Sequence, residues 1–100
     1  MTDKEKAAED QVDDERLLPG EKPTSRHPED ALHWAEVYRE LCDFKERALE
    51  RIAIETIALG DEARREIEST DLVVLQDERD RFRRRAEFWR ERYRRFADSN

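Results

Sequence analysis

Leu75, Phe82, Trp89 and Phe96 recur every seven residues, and Leu72, Arg79, Ala86 and Tyr93 repeat the same period three residues earlier. Two apolar series offset by three residues within a seven-residue repeat are the d and a positions of a helix that buries one seam, with Arg79 as a charged intruder. A period of seven excludes a strand, whose faces alternate every second residue. The C-terminal part of the chain is therefore expected to be one long helix over 62–97. Ile67, Val74 and Phe88 form a third series on a neighbouring face, broken by Arg81. Ser69, Thr70 and Asp71 are its weak point, because their side chains compete for backbone hydrogen bonds. Since Ile67 and Val74 keep the same phase across them, the helix is expected to continue.

A second stripe precedes it. Trp34, Tyr38, Leu41, Ala48, Ile52 and Leu59 follow one another at helical spacings, widened by Val37, Phe44 and Leu49. Pro28 suits a first helical position, and Glu29 and Asp30 place negative charge at the positive end of the dipole. Gly60 is expected to end this helix and Asp61 to cap the next. The predicted helices, 28–59 and 62–97, differ little in length, and a turn of two residues makes them antiparallel neighbours. Tyr38 then comes near Phe82, and Trp34 near Ala86 to Trp89. The fold class is all-α, a coiled-coil-like helical hairpin of two long helices.

Residues 1–27 carry acids, lysines and three of the chain's five Gly and Pro residues, no aromatic residue and one adjacent apolar pair, Leu17–Leu18. They read as a disordered acidic tail, since so little apolar surface cannot offset ordering entropy. Leu17–Leu18 before Pro19–Gly20 reads as a spacer, or as a short docking motif.

A hairpin of about 70 residues without a disulfide or metal staple rarely stabilises itself. Further burial is expected from dimerisation into a four-helix bundle or from another protein, through Trp34, Leu41, Phe44, Ile52, Leu75, Phe82, Trp89 and Phe96.

No catalytic constellation emerges. His33 lies nine residues from Cys42, half a revolution around a helix, so the two cannot form a nucleophile–base pair on it. Cys42 reads as a small apolar residue. No Cys-x-x-Cys or Glu-x-x-His spacing occurs, and two glycines cannot make a phosphate loop. Neither metal nor cofactor is expected. No apolar run approaches 18 residues, so no membrane span is expected; the lone cysteine and an N-terminus without an apolar stretch fit a reducing cytoplasm.

Charge is uneven. The net −7 divides into −5 over 1–30, −2 over 31–60, −4 over 61–77 and +4 over 78–100, where nine arginines stand among five acids. Arg83, Arg84, Arg85, Arg92, Arg94 and Arg95 form a charged face suited to docking on another protein. The acids Glu9, Asp10, Asp13, Asp14 and Glu15 could shield them until a partner displaces the tail. Arginines among aromatic residues also suggest single-stranded nucleic acid. Against that stand the acidic balance of the whole chain and the interior spacing of Phe82, Trp89 and Phe96. Ser69, Gln76 and Asp80 resemble three of five positions in the nucleotide-contacting series of cyclic-di-GMP-responsive anti-sigma factors, themselves helical hairpins. Arg65 and Leu72 depart from that series at the other two, so no ligand is carried over. The preferred expectation is a non-enzymatic, dimeric regulatory or adaptor protein, with transcription regulation as one candidate role; the alternatives are a nucleic-acid binder using 79–95 and a small-ligand sensor near Ser69.

Overall fold

The computed structural model describes residues 16–98. Helix α1 spans Pro28–Glu55 and runs into a 3-10 turn at Thr56–Ala58; α2 spans Asp61–Ser69 and α3 spans Asp71–Asp98. The long helices α1 and α3 pack against each other as a hairpin, and among the described residues there are no strands.

Pro28 does begin α1, with Glu29 and Asp30 in the first turn. His27 supplies no side-chain cap; instead the Ser25 hydroxyl accepts from the His27 amide at 3.2 Å and donates to the Asp30 carboxylate at 2.7 Å. The other end departs from expectation. The α-helix stops at Glu55 rather than at 59, and Gly60 precedes α2 in an extended conformation, φ −70°, instead of closing α1 from the left-handed region. Arg64 takes over the closing role: its guanidinium donates to the Leu59 carbonyl at 3.0 Å and the Thr56 carbonyl at 3.5 Å, while pairing with Asp61. Carbonyls at a helix end need such donors.

The expected continuous helix over 62–97 is broken at Thr70, φ −123° and ψ −78°. Both hydroxyls of the Ser-Thr pair turn back to one acceptor, the Glu66 carbonyl, at 3.2 Å from Ser69 and 2.7 Å from Thr70. This competition with the backbone ladder ends α2, and the Thr70 carbonyl accepts from Val74 to open α3.

The core sits at the open end of the hairpin, away from the turn. Ala31, Ala35, Tyr38 and Cys42 from α1 meet Phe82, Ala86 and Trp89 from α3, and Tyr38 and Trp89 are fully buried. The Tyr38 and Phe82 ring centroids are 5.9 Å apart, as the antiparallel pairing requires. Towards the turn the seam thins. Leu41, Ile52 and Leu75 are half-buried, as are Trp34 and Phe96 at the open end. Phe44, expected in the assembly interface, is 59% exposed on the hairpin itself, and Ile54, Ile57, Val73 and Val74 are also exposed.

Residues 16–27 correct the expectation of a disordered tail over 1–27. They lie along the open half of the hairpin as a strap, from Arg16, whose carbonyl accepts from Arg81, to Ser25, whose carbonyl accepts from Arg92 at 2.8 Å. The shielding acids at 9–15 lie outside the described residues.

Candidate functional site

The strap begins with a tight turn at Leu18–Pro19–Gly20–Glu21, closed by the Glu21 amide on the Leu18 carbonyl at 3.0 Å. Pro19 presets φ at the second position, and Gly20 takes φ +85° at the third, which a side chain would resist. The turn folds the Glu21 carboxylate back under the strap, where Oε1 accepts from the Leu18 amide at 2.9 Å. Leu18 packs against the core from the same turn. A second turn, closed from Ser25 to Lys22 at 2.9 Å, leads into α1.

Glu21 is the buried hub of the open end. Oε1 also accepts from the Tyr38 hydroxyl, and Oε2 accepts from Arg85 Nη2 at 2.7 Å and Trp89 Nε1 at 2.8 Å. The Glu21 and Arg85 side chains are 0% and 4% exposed, so this is a buried ion pair tying the strap to both helices. Arg85 further lies 4.5 Å above the Phe88 ring. Burial alone would push the Glu21 carboxyl up. The bonds from Arg85, Tyr38, the Leu18 amide and Trp89 together outweigh it and hold the group below its ordinary value of 4.5. The Tyr38 hydroxyl is pushed up to about 12, by burial first and then by the adjoining carboxylate.

A depressed carboxyl contributes stability that is complete above its unfolded value and lost as pH falls through the folded one. The melting temperature is thus expected to fall as pH drops below about 4.5, and Glu21→Gln should flatten that part of the profile, read by circular dichroism.

The arginines expected to form one docking face separate into two groups. Arg85 is buried on Glu21, and Arg92 is half-buried, donating to the strap and lying 5.7 Å from the Phe88 ring centroid. Arg85 is thus closed off from solvent and Arg92 only partly open to it, so the six arginines do not form one exposed face. Arg83, Arg84, Arg94 and Arg95 are exposed; Arg83 pairs with Glu46 across the hairpin at 2.9 Å and Arg94 with Glu91 at 2.6 Å. Exposed pairs of this kind are screened by solvent and add little net stability, so they leave a surface that can be rearranged. The rings are engaged within the chain: Phe82 and Trp89 are buried, and Arg92 lies 5.0 Å from the centroid of Phe96.

Cys42 is buried, donates weakly to the Arg79 carbonyl at 3.7 Å, and its thiol is pushed up by burial, as befits a packing residue. Among the described residues no three His, Cys, Asp or Glu side chains converge as a metal site, and no helix is long and apolar enough to cross a membrane. At the turn end a shallow groove of about 280 Å³ is lined by Ile52, Glu55, Thr56, Leu59, Ile67 and Asp71. Ser69, Gln76 and Asp80 do not line it.

The strap lies over one flank of the hairpin, with Gly20 beside the Trp34 ring. At 100° per residue, Leu41, Ala48 and Ile52 continue the Trp34 flank of α1 towards the turn, with Phe44 at its edge. Val74 continues the Arg92, Arg85 and Arg81 flank of α3. Beyond Arg81 the strap is absent from this flank among the described residues, and Phe44 and Val74 stand 59% and 56% exposed. Towards the turn this flank carries exposed Val74 together with the Lys45–Glu78 ion pair, 2.8 Å across the hairpin. No family model matches this chain, and neither any curated protein nor any solved structure proves similar to it.

Proposed function

We propose that this protein is a non-enzymatic protein-interaction module that docks through the turn-proximal half of its hairpin. The exposed apolar side chains in the turn-proximal half, Phe44, Ile54, Ile57, Val73 and Val74, together with the groove at Ile52 and Ile67, carry this reading. Contiguous exposed apolar surface is unfavourable in water and marks sites that another macromolecule covers. A polypeptide suits it best, because the surrounding charges are of both signs and the aromatic rings of α3 are engaged within the chain. The exposed Arg84 stands nearest the strap flank, tuning association rate and partner choice more than affinity. A regulatory or adaptor role follows from such a module, which holds another protein without transforming it.

Affinity capture from the native host tests this. Tagged wild-type protein is expected to retain a stoichiometric polypeptide, a second copy included. Phe44→Glu/Val74→Glu should release it while keeping wild-type helicity and melting, because both positions are exposed. Equal recovery with the variant, or none with the wild type, contradicts the reading.

A further inference from the structure

The strap is held as a bound peptide is held. Its own amides bond within it: Leu18 to the Glu21 carboxylate, Glu21 to the Leu18 carbonyl, Ser25 to the Lys22 carbonyl and His27 to the Ser25 hydroxyl. The hairpin reaches it with side chains. Arg81 and Arg92 donate to main-chain carbonyls, while Tyr38, Arg85 and Trp89 donate to the Glu21 carboxylate. Carbonyl contacts suit any sequence. The features selected by side chain are the carboxylate at Glu21 and the apolar Leu18, which packs against the core. Pro19 and Gly20 present both from one tight turn.

We infer that Tyr38, Arg85 and Trp89 form a carboxylate-recognising peptide site, with the strap as its tethered occupant, and that a segment of another protein carrying an apolar residue three positions before a glutamate in such a turn takes the strap's place. The site lies at the open end, apart from the turn-proximal docking surface, so the two stand or fall separately. Donors from both long helices converge on one carboxylate. An emptied cradle would leave the Arg85 guanidinium buried without that counterion, which favours an occupant bearing a carboxylate over none. Glutamine in the same place would bring no charge and fewer acceptor sites. The strap can leave without breaking the helical ladders of α1 and α3, because its amides bond within itself. A second copy's strap would add no contact that the resident one lacks, while the tether gives the resident an effective concentration of roughly millimolar order. The displacing segment therefore belongs to a protein that adds contacts beyond the turn.

A synthetic peptide of residues 16–27, added to the full chain carrying Glu21→Ala, tests this. In that variant the tethered strap has lost its anchor, whereas Tyr38, Arg85 and Trp89 remain. Millimolar peptide is expected to raise the variant's melting temperature by at least about 5 °C and to slow exchange of the Trp89 indole. Should Glu21→Ala unfold outright, the Glu21→Gln chain, which keeps the side chain's shape, gives the same readout. The peptide carrying Glu21→Gln or Leu18→Ala should bind at least about tenfold more weakly than the unaltered peptide. The wild-type chain should also bind the unaltered peptide at least about tenfold more weakly than the Glu21→Ala chain does, since its own strap competes. No rescue of either variant would overturn the site, as would equal binding of the Glu21→Gln peptide. Rescue of the Glu21→Ala chain at micromolar concentration by the Arg85→Met chain, whose strap is intact, would make a second copy the occupant and overturn the assignment to another protein.

Discussion

Glu21→Ala is expected to lower stability by about 3–5 kcal/mol, the range found when one partner of a buried ion pair is removed. The loss comes from what remains behind. Arg85, 4% exposed, keeps its charge in an interior from which its counterion has gone. The Tyr38 hydroxyl and Trp89 indole N–H each lose their acceptor, and the Leu18 amide loses the bond that holds the turn closed. A total folding free energy of about 5–15 kcal/mol makes this a large fraction. At about 4–8 °C per kcal/mol for a small domain, the melting temperature should fall by more than about 12 °C. Glu21→Met/Arg85→Met should regain part of it, because replacing both charges leaves no buried guanidinium deprived of the Glu21 carboxylate. Thermal and urea melts read both effects.

Trp89→Ala should cost a comparable amount, about 3–5 kcal/mol, for a different reason. Its side chain is fully buried, contacts Phe88 edge-on at 5.3 Å, and fills the space between α1, α3 and the strap. Truncation leaves a cavity and removes a donor from Glu21. Trp89→Phe separates the two contributions: most of the volume stays, and the lost donor should cost about 1–3 kcal/mol. Because Trp89 and Glu21 share a hydrogen bond, the two losses should not add; the double variant should fall short of their sum. Phe44→Ala, at a position whose sequence pattern is equally apolar, should change stability by less than about 0.5 kcal/mol.

The comparison of Trp89 with Phe44 shows how far the residues themselves reveal the fold. Seven-residue recurrence places Phe82 and Trp89 on an interior seam, and both are buried there. Periodicity gives a helical face, however, and the number of neighbours available to cover it depends on the rest of the chain. The open end has α1, α3 and the strap; the turn end has α1, α3 and the short α2. Phe44 also lies about 120° from Tyr38 and about 160° from Cys42 around α1, so it faces away from the seam that buries Phe82.

The strap was partly legible. Leu18–Pro19–Gly20 is a turn signal, and an adjacent leucine pair in an otherwise polar segment is a place for the chain to touch a core. Glu21 itself was hidden, since an acid in an acidic segment looks solvated until its donors are known. Those donors lie 17 to 68 residues away, at Tyr38, Arg85 and Trp89. Arg85 was misplaced by the same limitation: among nine arginines, only the arrival of a carboxylate distinguishes the buried one. The break at Thr70 was visible as a weakness in Ser69–Thr70–Asp71, but the outcome depended on two hydroxyls turning to the same Glu66 carbonyl.

Hydrogen exchange at the two tryptophan indoles tests the strap lock most directly. Trp89 Nε1–H donates to a buried carboxylate from a fully buried ring, whereas Trp34 is half-buried. In nitrogen-15 spectra after transfer to heavy water, the Trp89 indole signal is expected to outlast the Trp34 signal by about 100-fold or more, and Glu21→Ala should remove that protection. Rapid exchange of both indoles in the wild-type protein would contradict a strap seated on the hairpin.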